Sequence, residues 1–467
     1  MIQQSKSISS RTKPMQGTWF AMLLYGGFLF FVYAWLSVLE ERFGGWGRVR
    51  VLLAALLFVL CFARLLYHGG FTAFFRSKAV LAAGCYLAIE TVSGLGLGER
   101  AFVLQTLRSN LTLVSIAFWT YCIFSNRSLM RCLAPLLVVV VVCVAAVSFR
   151  GFTVSSAEGR LQAGIGEMRD NPNDTAMVYG WGVGLVLGII LARRSLWQKF
   201  LAAAGGGVLI LGIFYTGSRG AVLLLVALLV VFFGSWRVRV GGRILVALVG
   251  LCLLVGTAQF LKSLPNLPFG VQRALSVFTF DVGTAPELAE TGSVDSRMPL
   301  YQAAWRAWLQ NPITGIGTGN FQTQSGRYFG VNSEYEGTAT HNTYFQILAE
   351  LGLVGFLCFG WWLYALYRTV AHGEFRVFNW ILFVAVLGGF NSNLVAGWHV
   401  MFVLTGAAAR IESLRRLPGA VDCPPRLASK RGPQVPARFP RRTRAMELPE
   451  RRKVAVGAND VTGAATL

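Results

Sequence analysis

Apolar runs long enough to cross a bilayer recur along this chain, and they fix what it can become. They lie near residues 17–39, 51–67, 79–97, 109–125, 133–149, 175–192, 201–216, 221–235, 244–262, 343–367, 377–392 and 396–410. About 20 apolar residues in a helix span the hydrocarbon core of a bilayer. Lipid offers the backbone no hydrogen-bond partners, so each span must satisfy its own N–H and C=O groups as a helix. The expected fold is an all-α polytopic membrane protein with about twelve transmembrane helices. Charge agrees: 14% of the residues are charged, against about 25% in a soluble domain. The run at 17–39 exceeds a signal-peptide core and reads as a retained anchor.

The loops give a direction. With residues 1–16 as a cytoplasmic N-terminus, alternate loops carry Arg76 and Lys78, Arg127 and Arg131, Arg193 and Arg194, and Arg237, Arg239 and Arg243. The opposite set holds nearly all the loop acids, among them Glu158, Glu167, Asp170, Asp281, Glu287 and Asp295. This is the positive-inside pattern. Residues 17–410 then form the membrane domain, and 263–342 a large loop on the periplasmic side. Both termini fall in the cytoplasm. Residues 411–467, rich in Pro, Arg and Ala and without periodicity, read as a disordered basic tail.

A net charge of +22 invites a nucleic-acid partner, but its distribution argues against one. The basic residues sit in short cytoplasmic loops and in the tail, where they serve topology and attraction to anionic lipid heads. The eight cysteines show neither a disulfide framework nor zinc spacing. The polar loops carry no acid pair or His cluster of metal-binding type, so no metal and no cofactor is expected.

The chemistry is therefore sought where the chain leaves the lipid. Arg219 lies in Gly217-Ser218-Arg219-Gly220 between two spans. The glycines explain a tight turn. They do not explain an external arginine with no acid nearby, whose five donors form a fork suited to phosphate oxygens. Arg297 opens an expected helix over 297–310, stopped by Asn311-Pro312. Its stripe of Leu300, Ala304, Ala307 and Trp308 suggests a helix lying flat in the membrane interface. Gly315, Gly317 and Gly319 lack the strand–turn–helix setting of a nucleotide loop and read as a tight re-entry toward the membrane. His341 closes the loop before the next span, with Thr340 or Asn342 as the helix cap. The shorter loop near 150–174 contributes Arg160 and a turn at 170–174. Glu90, inside the third span, is a buried ionisable group without an assigned role.

These residues line up with a family. The chain resembles the O-antigen ligase and polymerase superfamily of bacterial inner membranes, and most resembles the ligases. The resemblance rests on Gly217-Ser218-Arg219-Gly220, on Ser296-Arg297 with Trp305 or Trp308 and Pro312, and on Gly315, Gly317, Gly319 and Phe321. It continues through His341-Asn342, Glu350, Gly352 and Gly355, and covers roughly residues 160–370. It implies a GT-C-type glycosyltransferase that moves a glycan from undecaprenyl pyrophosphate to the lipid A-core oligosaccharide, in lipopolysaccharide biosynthesis. A polymerase would use the same donor and extend another lipid-linked unit. A protein O-oligosaccharyltransferase and a polysaccharide transporter are rival readings. The transporter predicts broken helices and paired polar groups at mid-membrane.

No nucleotide sugar reaches the outer face, so the driving force must already sit on the donor as a leaving group. Fixed arginines stabilise the charge that grows on a departing pyrophosphate. The expected catalytic set is His341, Arg219 and Arg297, with Arg219, Arg297, Arg160 and Asn342 contacting substrate. His341 serves as general base on the acceptor hydroxyl or as a further pyrophosphate contact.

Overall fold

In the computed structural model, the described residues run from 46 to 416. Excepted are 151–171, 236–251, 279–293, 329–336 and a few short gaps between helices, and only scattered residues are described over 252–266. Residues up to 418 form one compact unit, and Gly419–Leu467 is a separate unit outside the described residues. Of the tail expected over 411–467, the first residues continue the last helix as far as Arg415; the tail beyond Arg416 and the run at 17–39 lie outside the described residues.

The described residues form helices, with no strand among them. The elements are α1 (Trp46–His68), α2 (Phe71–Phe75), α3 (Lys78–Leu97), α4 (Arg100–Ile123), α5 (Arg127–Arg150), α6 (Pro172–Leu191) and α7 (Leu196–Thr216). They continue with α8 (Arg219–Ser235), α9 (Phe269–Leu275), α10 (Val294–Gln310), α11 (Asn320–Gln324), α12 (Thr343–Val370), α13 (Phe378–Gly388) and α14 (Val395–Arg415). Five of them (α3, α5, α6, α7 and α12) are long and apolar enough to cross a membrane, and α1, α4, α8 and α13 contain shorter apolar stretches. Every expected span except 17–39 and 244–262 falls on one of these helices. Those two lie wholly or almost wholly outside the described residues.

The bundle is organised around α6. Its side chains from Thr175 to Ile189 are buried without interruption, as expected of a helix apolar on all sides. It packs against α5, α7, α8, α13 and α14. Pro172 at its start loses no helical hydrogen bond there, and Asp174 in its first turn suits the positive end of the dipole. A second group joins α1, α3, α4, α12 and α14. Trp362, Tyr86 and Trp398 stack in its interior, with the two indoles at 5.7 Å and 5°.

The polar loop adds its own small core. Leu300, Ala303, Ala304 and Ala307 of α10 are buried, and the three alanines pack with Ile316, Phe321, Tyr328 and Ala349 of α12. The stripe seen in the sequence therefore faces protein rather than lipid. A different stripe, Met298, Trp305, Leu309 and Ile313, looks outward, with Trp305 45% and Ile313 64% exposed. α10 is thus apolar on two faces, one spent on α12. It also starts at Val294, so Arg297 sits in its first turn instead of opening it.

The Gly-rich run docks on a break in α12. Gly352 has φ 63° and ψ −162°, which interrupts the helical ladder. The freed groups pair with the loop. Ile316 and Gly317 N–H donate to the carbonyls of Ala349 and Glu350, both at 2.9 Å. Leu353 and Val354 N–H donate to those of Pro312 and Ile313 at 2.9 and 3.2 Å. Gly315, Gly317 and Gly319 all have positive φ, a conformation open to glycine at little cost. A Cβ on Gly315 would come within 2.3 Å of the Glu350 carbonyl, and one on Gly352 within 2.4 Å of Ile313 O. The expected re-entry is therefore a backbone-to-backbone dock. α12 is broken as a transporter helix would be, but loop backbone fills the break.

Candidate active site

The motif around Arg219 is built by two helix ends. α7 ends at Gly217, whose φ of 66° places it in the left-handed region, the common glycine stop. Ser218 then caps α8, its Oγ accepting from Ala221 N–H at 3.4 Å. Arg219 follows as the first helical residue. A cation is unfavourable at this positive end of a helix, so the local rule is broken where function is expected. Its Nε is buried and has no hydrogen-bond partner among the described residues. Gly220 is not a turn glycine. A Cβ there would fall 2.1 Å from the side-chain oxygen of Asn391.

Asn391 also meets Arg297. The Arg297 Nη1 donates to Asn391 Oδ1 at 2.8 Å. The same turn after α13 receives the start of α12. Thr343 N–H donates to Gly389 O at 2.8 Å, and Asn342 Nδ2 to Phe390 O at 3.4 Å. The Tyr344 hydroxyl donates to Val386 O. Three segments far apart in sequence, bearing Arg219, Arg297 and His341, thus converge on residues 389–391.

Asn342 is the cap expected from the sequence. Its Oδ1 accepts from Tyr344 and Phe345 N–H at 3.0 and 3.2 Å. His341 has φ 53°, the one positive value at a non-glycine among the described residues. Its imidazole is held below the usual histidine range, first by burial and then by the Arg297 guanidinium. A half-buried histidine so placed is neutral near pH 7 and can accept a proton.

A polar chain runs behind this turn. Thr340 Oγ1 lies 3.0 Å from Gln346 Oε1, and Gln346 Nε2 donates to Glu350 Oε1 at 2.7 Å. The Glu350 carboxylate accepts further from the backbone N–H groups of Gly319 and Phe321. Thr318 Oγ1 donates to Glu90 O at 2.8 Å, which ties α3 to the same loop. The Gly-rich run is thereby connected to the His341 turn through side chains as well as backbone.

Sequence reasoning missed Asn391, Gln346 and Arg273. α9 packs against α7 and α8, and its Arg273 is 4% exposed. Its signal was an arginine in a short apolar segment of the loop. Gln346 lies among apolar residues and carries no motif, whereas the signal of Asn391 was the polar run Asn391-Ser392-Asn393 at the end of an expected span. Arg160 lies outside the described residues.

Helices of which five are long and apolar enough to cross a membrane, with a polar loop whose cation and histidine meet one turn, point to a polytopic membrane protein. Residues 204–360 match the sequence model of the family described as O-antigen ligase, which covers less than half of the chain. That match supports the O-antigen ligase superfamily of ligases and polymerases, whose members are glycosyltransferase-like enzymes. Arg219, Arg297, His341 and Asn342 fall inside the matched segment, and Asn391 lies beyond it. No curated protein matches the chain.

Proposed function

We propose that this protein is an O-antigen ligase, transferring glycan from undecaprenyl pyrophosphate to the lipid A-core oligosaccharide on the periplasmic face of the inner membrane. The observation that carries the reading is the meeting of the Arg219 turn, Arg297 and the His341–Asn342 turn at residues 389–391. Each of these segments begins a helix, and helix starts favour anions. Two arginine forks added to them suit a pyrophosphate.

In this mechanism Arg219 and Arg297 hold the donor pyrophosphate and stabilise its charge as the glycosidic bond breaks. One such fixed donor is worth about 10²–10³ in rate. His341, neutral at the working pH, accepts the proton of the attacking core hydroxyl. The carbon at the sugar's reducing end exchanges its pyrophosphate oxygen for that hydroxyl oxygen, and undecaprenyl pyrophosphate leaves.

The test is the glycan profile of a strain lacking the gene. Core without O-antigen, with long polymer retained on undecaprenyl pyrophosphate, is expected. Core carrying a single repeat unit would instead identify a polymerase.

A further inference from the structure

We propose that Asn391 is a positioning residue that holds Arg297 in register with the Arg219 helix, for a ligand bearing a pyrophosphate. The proposal rests on the reading of Arg297 as a pyrophosphate contact.

Asn391 stands in the turn after α13, its N–H donating to Gly388 O at 2.9 Å. Its amide is held between two elements. On one side Oδ1 accepts from Arg297 Nη1 at 2.8 Å. On the other, the amide atoms occupy the space of an absent Cβ at Gly220, with Oδ1 and Nδ2 2.1 and 2.4 Å from that position. A larger residue at 220 would displace the amide.

The remaining groups are poised for a ligand. Asn391 Nδ2 is buried without a hydrogen-bond partner among the described residues, and so is Arg219 Nε, one residue before Gly220. An amide nitrogen carries two donors, and leaving buried donors unpaired is costly. Two unsatisfied donors, one on Asn391 beside the Arg297 guanidinium and one on the residue before Gly220, match an anion with several acceptor oxygens. With Nη1 committed to Asn391, Arg297 loses side-chain freedom before the ligand arrives, which raises affinity by preorganisation.

The test uses the purified full chain in lipid nanodiscs, with undecaprenyl pyrophosphate as the probe. Asn391→Leu keeps the branched outline, in methyls larger than the amide atoms, and removes Oδ1 and Nδ2 together, and Gly220→Ala pushes on the amide from the other side. Each is expected to weaken binding about tenfold, the scale of one hydrogen bond to a charged group. A double-mutant cycle separates positioning from general support. In an Arg297→Ala background, Asn391→Leu should cost clearly less than in the parent, leaving only what Nδ2 itself contributes. An undiminished loss there, or parent affinity in Asn391→Leu alone, overturns the proposal. Normal binding by Arg297→Ala overturns the pyrophosphate reading itself, and Asn391 with it.

Discussion

The Thr340 hydroxyl lies 2.8 Å from the carbonyl oxygen of Asn342 and accepts from its N–H at 3.2 Å, so one side chain spans the backbone around His341. That backbone is in the left-handed region, which costs a side-chain-bearing residue about 1–2 kcal/mol. The hydroxyl is what holds it there. Thr340→Val keeps the shape and removes the bridge, and is expected to cut glycan transfer about tenfold. Transfer at the parent rate would show that the turn holds itself.

His341→Asn separates chemistry from fold, because asparagine tolerates a positive φ better than most residues. The variant should insert and unfold like the parent while transfer falls by about 10²–10⁴, the range for losing a general base. Parent-like transfer would remove His341 from the mechanism.

The pH profile carries a sign that can be checked. Burial and Arg297 both lower the His341 pKa, so the imidazole remains the neutral, proton-accepting form below its ordinary titration point. Activity should fall on the acid side through that lowered pKa, below about 6.5. An acid limb at or above the ordinary value would assign it to another group.

Arg297→Lys retains the charge but not the planar fork. It also loses the geometry that lets one nitrogen meet Asn391 while others face an anion. Transfer should drop by about 10²-fold or more. Full activity would reduce Arg297 to a simple charge.

Gly352→Ala tests the dock. The new methyl would meet Ile313 O at 2.4 Å, at a φ of 63°, so the Gly-rich run should lift from α12. Expected is early proteolysis within 311–320 together with loss of transfer. A variant with the parent's protease pattern would show that the break repacks.

The helices were legible because lipid imposes length and hydrophobicity together, and so were the Arg219 and His341 turns, which break apolar runs. The role of Gly220 was not. Its requirement is set by Asn391, far away in sequence, and only the folded chain shows the two together. The apolar stripe of α10 was visible, but periodicity alone cannot tell whether Ala303, Ala304 and Ala307 meet lipid or α12. The Gly-rich run was assigned to re-entry without the device behind it, because α12 reads as an uninterrupted apolar span through Gly352.

The anchoring of Thr343 to Gly389 O and of Asn342 to Phe390 O settles who owns the histidine. His341 is placed by the turn beyond α13 together with its neighbours Thr340 and Asn342. Those contacts all lie at or after Thr340, so changes in length or sequence ahead of Gly337 are expected to leave the histidine at its address.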